Sequence, residues 1–303
     1  MNVTMKMITE FASSALRFDP NALLEQLSAY PTRTRGDPIE WGACQWVDGT
    51  HSALNYRGHA LRRAKIWCQR GDPRAFFRKY YYTGWQWRVL PATCSVAACP
   101  ELAPIWDAYD AWCDANGVMR ANHAIVTRYA DGSHGIGAHS DKPKSIAPSV
   151  PGQTSMITVV KLGPAARRFL VTDLEGAPLF DEIVAPGTAI MMSLEANLQT
   201  KHAVPEVDDA GPSGSIVFRT ITDTVAWGKL ERQIARMDAK EAAAAAADEE
   251  EGKRPVFRCF GASQEAAAAA RVFFFKRRSF VAFSLFPAEI DARAKRCAGH
   301  PNP

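Results

Sequence analysis

The sequence predicts an α+β fold in which an antiparallel β-sandwich or jelly roll is flanked by helices. Three observations support this prediction. A helical stripe of apolar residues precedes position 117, apolar runs of strand length follow it, and turn dipeptides bound most of these runs. The chain has 303 residues, of which 47% are hydrophobic and 22% charged, so it has room for a sizeable core and does not read as disordered.

Two helices are expected before the strands. The first spans residues 18–30, where Asp19 is a good N-cap and Pro20 suits the first helical position. Residues 100–116 carry apolar side chains at the i, i+3, i+4 and i+7 spacing, and Gly117 is a natural helix stop. Both segments should therefore pack one apolar face on the rest of the molecule.

Strand-like runs of β-branched and apolar residues follow the second helix. The predicted strands span residues 123–129, 156–162, 168–172, 179–184, 188–194 and 215–221. Many short strands with regular turns are typical of an antiparallel sandwich or jelly roll.

The carboxy-terminal quarter changes character again. Residues 228–240 have a helical pattern, and residues 242–251 are alanine-rich and of low complexity. From Gly252 to the end there are ten basic and three acidic residues. We interpret this part as a helical linker followed by an extension.

Cysteine usage and hydropathy favour an intracellular protein. The seven cysteines form no CxxC pair, and their odd number argues against a disulfide framework. Cys94 and Cys99 are expected to be core or loop thiols. No signal peptide is expected at the amino terminus, and no run of 18 apolar residues occurs. A cytoplasmic or nuclear location is the resulting expectation.

A candidate metal site lies in the strand region. His139 and Asp141 are separated by one residue, and His202 follows 61 residues after Asp141. Two histidines and one carboxylate fit the facial triad that holds non-haem Fe(II), and residues i and i+2 of a strand share a face. The alternative is a surface histidine and a turn aspartate without metal. His134, in a glycine-rich turn, is interpreted as a loop residue.

Arg219 lies 17 residues beyond His202 at the end of the last predicted strand. An arginine there offers a planar, bidentate cation for a co-substrate carboxylate. The alternative is a salt bridge at a strand end.

A basic and aromatic segment precedes the strands, within a region (31–100) that is expected to be irregular. Residues 57–90 contain nine Lys and Arg against one acidic residue. Aromatic faces stack on bases and basic side chains neutralise phosphates, so this composition favours a nucleic-acid partner. The alternative is that the aromatic residues are core and the cations lie on a solvated face. The candidate substrate-binding residues are Arg62, Arg63, Tyr81, Tyr82 and Trp85.

Five segments carry a family resemblance. RYADGSHGIGAHSD (128–141), ITVVKLGPAARRFLV (157–171), APGTAIMM (185–192), KHAVP (201–205) and SIVFRTI (215–221) occur in this order. Together they resemble the AlkB-like branch of the Fe(II)/2-oxoglutarate-dependent dioxygenases. The segment from Arg57 to Pro91 is similar, more loosely, to the lid that covers a flipped nucleotide in that family.

The resemblance implies a double-stranded β-helix core at residues 118–227. Residues 1–117 would then supply helices and a substrate lid, and residues 228–303 the linker and extension. The implied activity is that of an oxidoreductase, a metal-binding dioxygenase that modifies DNA or RNA by oxidative demethylation of a base. Its implied requirements are Fe(II), 2-oxoglutarate and O2, with Thr127, Tyr129 and Arg219 beside the co-substrate.

Three positions differ from the family pattern. Ser213 stands where the family has a second arginine that anchors the distal carboxylate of 2-oxoglutarate, so another group must anchor it here. Lys161 and Arg168 are candidates to replace that arginine. Thr127 stands where an asparagine is usual, and Pro143 where an acidic residue often reads the base.

Two rivals to the leading hypothesis remain open at this point. One is a dioxygenase of the same fold that acts on a protein side chain or a small molecule, possibly with another co-substrate. The other is a nucleic-acid-binding protein without turnover, for which the absent arginine is the argument.

Overall fold

The computed structural model describes Met5–Ile8 and residues 18–51, 62–80 and 90–253. Residues up to Asp248 belong to one compact unit; of the second unit, Glu249–Pro303, only the end of the last helix is described. The basic tail beyond residue 253 and three candidate substrate residues, Tyr81, Tyr82 and Trp85, lie outside the described residues.

Two antiparallel sheets form the double-stranded β-helix that the resemblance implies. The strands of the larger sheet are β1 (Met5–Ile8), β2 (Thr32–Arg33), β3 (Trp46–Val47), β4 (Ala64–Gln69), β6 (Thr93–Ser95), β7 (His123–Tyr129), β9 (Met156–Leu162), β12 (Ala189–Ser193) and β14 (Ser213–Arg219). They run in the order β1-β12-β9-β14-β7-β4-β3-β2, with β6 beside β4. All neighbours on this path are antiparallel except β2 and β3, and β6 is also parallel to β4.

The smaller sheet closes the barrel. Its strands are β8 (Ile136–His139), β10 (Arg167–Asp173), β11 (Pro178–Val184) and β13 (Thr200–Val204), in the order β11-β10-β13-β8. Buried residues of both sheets, among them Val159, Phe169 and Val204, share one apolar cluster. The interior between the sheets is therefore a packed core. A separate pair joins β5 (Phe77–Arg78) to β15 (Thr224–Val225).

Helices α1 (Pro20–Ser28) and α2 (Ala103–Asn116) cover the outer face of the larger sheet. Asp19 caps α1 by accepting bonds from two backbone N–H groups, and Gly117 ends α2 with a φ of 63°. Tyr109 stacks on Phe218 of β14 at a centroid distance of 4.7 Å. Both predicted helices are confirmed, although a short 3-10 turn (Pro100–Leu102) precedes α2.

Strand alternation then turns the other side chains inward. On β14 the even-numbered Ile216 and Phe218 pack against the helices, so Ser213, Ser215 and Arg219 face the barrel interior. Their partners are set by the strand register: Ser213 is opposite Tyr129, and Ser215 is opposite Lys161. Strand β14 thus carries a polar residue into the interior at each of its ends.

Two parts of the sequence prediction are wrong in detail. The region expected to be irregular contains β4, which pairs with β7 over six residues and extends the larger sheet. β8 ends at His139, so Asp141 lies beyond the strand and not on it. Helices α3 (Leu194–Gln199) and α4 (Trp227–Lys253) complete the described chain, and α4 includes the alanine-rich stretch.

Glycines let the segment before β8 approach β13. A Cβ at Gly132 would lie 1.8 Å from the carbonyl oxygen of Val207, and one at Gly135 would lie 2.7 Å from that of Val204. A side chain at either position would push β8 away from β13. The glycine-rich turn therefore sets the pairing on which the metal cluster depends.

Candidate metal centre

His139, Asp141 and His202 form a cluster that could hold a metal ion. One ligand atom from each residue lies within 4.8 Å of the others. The two histidines are direct partners across the β8–β13 pair, and their ring centroids are 4.4 Å apart. Because the chain leaves β8 immediately after His139, Asp141 reaches the same point from the turn. Within the parts of the chain that are described, this is the one such group.

Both histidines are arranged to bind as neutral imidazoles. Nδ1 of His139 lies 2.9 Å from the Gly137 carbonyl oxygen, to which it donates when Nε2 is left for a metal. Burial is the main cause that lowers the pKa of His139, and it lowers the pKa of His202 to about 4. A neutral ring keeps a lone pair available, which a metal ligand requires.

The Asp141 carboxylate is held as an anion by groups on two sides. Burial alone would raise its pKa, but the charge of Arg219, joined by the two histidines when they are protonated, outweighs burial and holds the pKa well below its usual range. Oδ2 accepts from Arg219 Nε at 2.8 Å and lies 2.7 Å from Nη2, while Oδ1 accepts from the Tyr80 hydroxyl at 2.8 Å. The salt bridge expected as the alternative for Arg219 thus exists, and its partner is a candidate metal ligand.

Tyr80 links this carboxylate to the backbone of the following turn. Its hydroxyl accepts from the N–H of Lys142 at 3.1 Å, and the Arg219 guanidinium lies 4.7 Å from its ring centroid. Burial raises the pKa of Tyr80 well above its usual range, so the hydroxyl stays protonated and donates to Asp141. Tyr80 also stacks on the buried His123.

The backbone of Asp141 is fixed by a residue that sequence reasoning missed. Asn197 of α3 accepts from the Asp141 N–H at 2.8 Å and donates to the Asp141 carbonyl at 3.0 Å. The hydroxyl of Ser140 donates to the Thr200 carbonyl at 2.6 Å. These bonds hold the backbone of the turn in place, as inter-strand hydrogen bonds hold a strand. Asn197 stands outside every sequence motif, so only its amide type and position near His202 could have indicated it.

Positive charge surrounds the cluster. Lys65 on β4, which was not among the predicted site residues, and Arg63 both lower the pKa of His139 by their charge. Burial lowers the pKa of Lys65 to about 7, with Arg63 and Arg219 adding to the effect. Arg63 also donates to the Gly135 carbonyl at 3.0 Å. A centre with several cations and one carboxylate is suited to an anionic ligand.

At the far end of β14, a second set of polar groups faces the interior. Tyr129, Ser213 and Lys161 are fully buried or nearly so, and their terminal atoms have no hydrogen-bond partner. Thr127, two residues before Tyr129, is buried as well. Of the two candidates to replace the missing arginine, Lys161 points inward, while Arg168 lies near the surface and pairs with Asp181 at 2.6 Å.

The described cations of the basic segment are mostly engaged in the fold. Arg70 pairs with Asp107 and Asp110, and Arg78 donates to the Ile221 carbonyl. Lys79 lies 4.0 Å from Asp223. Arg62 is exposed, and Trp67 is buried core. Fewer of the described cations are therefore available to a nucleic-acid partner than the sequence count indicates.

The prediction that two cysteines are core or loop thiols is borne out. Cys94 and Cys99 are buried free thiols in the core. No helix among the described residues has the length and apolarity needed to cross a bilayer.

Comparisons with known proteins give distant likenesses only. No family model and no curated protein matches the chain. The structure of OsALKBH1 aligns with a TM-score of 0.46 and 14% identity, over 73% of this chain and 98% of that one. A Burkholderia pseudomallei oxidoreductase of the 2OG-Fe(II) oxygenase family gives 0.37 and 17%, over 71% and 82%.

A Trichoplax adhaerens prolyl hydroxylase, in complex with a hypoxia inducible factor oxygen degradation domain peptide fragment, gives a TM-score of 0.38 and 12% identity. It covers 71% of this chain and 83% of that one. At these values the solved structures carry no information about the activity of this chain, which has to come from its own side chains.

Proposed function

We propose that this protein is an Fe(II)- and 2-oxoglutarate-dependent dioxygenase that oxidises an alkyl group on a nucleic-acid base. One observation carries the proposal: His139, Asp141 and His202 converge to within 4.8 Å inside a double-stranded β-helix. Two neutral imidazoles and one carboxylate on one face of an ion are the donor set of non-haem Fe(II) oxygenases. Bound there, iron would supply open positions at which a 2-oxo acid and dioxygen react.

The overall reaction balances with these reactants. One 2-oxoglutarate, one O2 and one C–H bond give succinate, CO2 and one C–OH group. Two electrons come from the decarboxylated oxo acid and two from the C–H bond. On an N-methyl group the product is an N-hydroxymethyl group, which releases formaldehyde and restores N–H.

The chain's own residues have defined tasks in this proposal. Arg219 and Tyr80 keep Asp141 ionised and oriented, because each donates to a different carboxylate oxygen. Asn197 holds the Asp141 backbone so that the turn keeps its geometry without metal. Lys65, Arg63 and Arg219 provide the positive potential that favours a dianionic co-substrate.

The choice of a nucleic-acid substrate rests on a stretch of sequence that directly follows a residue of the metal centre. Tyr80, bonded to Asp141, directly precedes the aromatic and basic residues 81–88 in the sequence. Aromatic rings among cations suit stacking on an unpaired base and contact with phosphates. Arg62 is exposed and would add a phosphate contact.

A second candidate is a dioxygenase that acts on a small molecule or a protein side chain. The engagement of Arg70, Arg78 and Lys79 within the fold favours it, because these cations are then less available to phosphates. The salt dependence of substrate affinity separates the two candidates. Phosphate contacts release counterions, so nucleic-acid affinity falls as salt is added, whereas the affinity for a neutral substrate does not.

The test is a turnover assay with matched histidine variants. Purified protein with Fe(II) is given 2-oxoglutarate and single-stranded oligonucleotides, methylated or unmethylated, and succinate and formaldehyde are measured. We expect methylated oligonucleotides to raise succinate formation and to yield formaldehyde in equal amount. His139→Ala should abolish both products. His134→Ala, which removes a histidine outside the metal cluster, should retain them.

Each outcome assigns the function. Succinate without formaldehyde, unaffected by any oligonucleotide, would replace the nucleic-acid substrate by the second candidate. Salt-dependent oligonucleotide binding without succinate, in protein shown to hold iron, would indicate a non-catalytic binder. Equal turnover in His139→Ala and wild type would contradict the metal assignment.

A further inference from the structure

Lys161 is a buried ammonium group that the fold itself does not satisfy. It lies on β9 opposite Ser215, its side chain is 1% exposed, and its Nζ has no hydrogen-bond partner. No carboxylate in the described part of the chain forms an ion pair with it. Burial, followed by the charge of Arg167, lowers the pKa of Lys161 to about 7. An unpaired cation in a protein interior is unfavourable unless an anion joins it.

The polar groups around Lys161 are hydroxyls and a second cation, and no carboxylate acts on its pKa. Its Nζ lies 6.0 Å from the ring centroid of Tyr129, whose buried hydroxyl lies beside Ser215 without a hydrogen bond of normal geometry. The hydroxyl of Ser213, opposite Tyr129 in the β7–β14 pair, is also buried and unpaired. Three unpaired donors from three neighbouring strands thus face one region of the barrel.

The nearby Arg167 adds positive charge, and its own hydrogen bonds are made to backbone carbonyls. Its guanidinium lies 5.4 Å from the Tyr129 ring centroid and donates to the carbonyls of Asp131, His134 and Pro205 at 2.9, 2.6 and 3.2 Å. These partners are neutral, so the charge of Arg167 adds to that of Lys161. The region carries two buried cations and calls for an anionic group.

We infer that Lys161, with the hydroxyls of Tyr129 and Ser213, forms the site for the distal carboxylate of a 2-oxo dicarboxylic acid. The inference rests on the proposed function, which places the oxo acid end of that molecule at the metal cluster. Ser213 and Arg219 begin and end β14, and both face the interior. A molecule with an acid group at each end can therefore meet Arg219's side of the barrel and Lys161's side at once.

This assignment also explains how the distal carboxylate is bound although Ser213 stands in place of the second arginine. A serine at that position leaves room for a side chain from the adjacent strand, and Lys161 supplies the charge. The ammonium group is a point charge with three donors, whereas a guanidinium is a planar fork. The distal group would accordingly be held by one ion pair and two hydroxyl donors.

The test compares two oxo acids of equal length. Full-length protein loaded with Mn(II) is titrated anaerobically with 2-oxoglutarate and with 2-oxopentanoate, which has a methyl group in place of the distal carboxylate. Wild type should bind 2-oxoglutarate about 100-fold more tightly, because a buried ion pair is made only with it. In Lys161→Met the preference should fall to about 3-fold or less. The affinity for 2-oxopentanoate should stay unchanged and so show that the fold and metal site are intact.

Two further variants keep the result specific. Arg168→Met removes an exposed cation seven residues away and should leave the preference at its wild-type value. Tyr129→Phe removes one hydroxyl without changing charge and should weaken only 2-oxoglutarate, by about 10-fold.

The possible results separate this inference from the proposed function. If wild type prefers 2-oxoglutarate and Lys161→Met does so equally, the inference is wrong and the co-substrate proposal stands. If metal-loaded wild type binds neither oxo acid, the co-substrate proposal fails and takes the inference with it. A preference lost in Arg168→Met as well would also overturn the inference, because any loss of positive charge would then suffice.

Discussion

The two ends of β14 treat buried charge in opposite ways. At one end, Arg219 meets Asp141 at 2.7 Å, and Tyr80 bonds the other carboxylate oxygen. At the other end, Lys161 is also buried, its Nζ has no hydrogen-bond partner, and the charged group that acts on its pKa is the cation Arg167. At the first end the buried carboxylate is paired within the fold, whereas at the second the buried ammonium group forms no ion pair with a carboxylate of the described chain.

The difference separates buried charges that pair within the fold from one that, in our proposal, pairs with a ligand. A paired set such as Asp141 and Arg219 holds its geometry in the free protein, which is what a metal site needs. An unpaired buried ammonium group lowers the stability of the free protein, and binding of an anion restores that stability. Substitutions at the two ends should therefore change stability in opposite directions.

The largest effect is expected at the paired end. Arg219→Met leaves the Asp141 carboxylate buried without its cation, so the free energy of unfolding should fall by about 3–5 kcal/mol. Urea denaturation in the presence of a chelator measures it. Added Mn(II) should restore part of the loss, because the ion supplies positive charge to the same carboxylate. A change within experimental error would mean that the pair contributes nothing to the frame.

The unpaired end should respond with the opposite sign. Lys161→Met should raise the free energy of unfolding of the ligand-free protein by about 1–4 kcal/mol at pH 7, because a buried unpaired charge is replaced by an apolar chain. The same urea experiment measures it. Arg168→Met, at an exposed salt bridge, should change little. Destabilisation by Lys161→Met would reveal a partner for Lys161 within the fold and remove the contrast.

The pH dependence of that gain has a definite sign. The pKa of Lys161 is about 7 in the folded protein against 10.5 ordinarily. Between these values the unfolded chain binds the extra proton, so wild-type stability rises with pH by at most about 1.4 kcal/mol per pH unit. The advantage of Lys161→Met should thus be largest at pH 7 or below and shrink towards pH 9. Thermal unfolding of both proteins at pH 6.5, 8 and 9 checks it.

A smaller effect should separate the hydroxyl that serves the metal ligand from one that does not. Tyr80→Phe removes a donor to Asp141 and should weaken Mn(II) binding about 10- to 100-fold. Tyr30→Phe removes a hydroxyl that donates to Glu101 at 2.6 Å, away from the metal cluster, and should leave Mn(II) affinity unchanged. Calorimetric titration with Mn(II) distinguishes the two. Equal affinities in both variants would mean that Tyr80 does not orient Asp141.

Much of the core could be predicted from the sequence because its rules are local. The period of apolar residues predicted both early helices and six of the thirteen strands of the two sheets. Strand β4 was not predicted because its residues lie in a basic, aromatic segment without a regular alternation of polar and apolar residues. β8 escaped because it is four residues long and follows a glycine-rich turn. It pairs with β13, where His202 lies opposite His139, and no local sequence pattern encodes a pairing between such distant residues.

The site was predictable as a set of ligands but not as a network. His139, Asp141 and His202 were found from residue type and order. The bonds of Tyr80 and Asn197 to Asp141 join residues 61 and 56 positions apart, and such pairs have no sequence motif. Arg168 could have been excluded as a barrel residue, because its neighbour Phe169 takes the inward face of β10. Lys161 shares a strand face with Ile157 and Val159, which indicated burial but not the lack of a partner.

The central claim is that one end of the barrel binds the metal and the other binds the distal acid group of the co-substrate. A crystal structure of the protein with Mn(II) and 2-oxoglutarate, grown without oxygen, tests it most directly. We predict the ion on His139, Asp141 and His202, and the distal carboxylate within hydrogen-bond distance of Lys161 Nζ. A distal carboxylate bound instead by Arg63 or Lys65, with Lys161 still unpaired, would contradict the account.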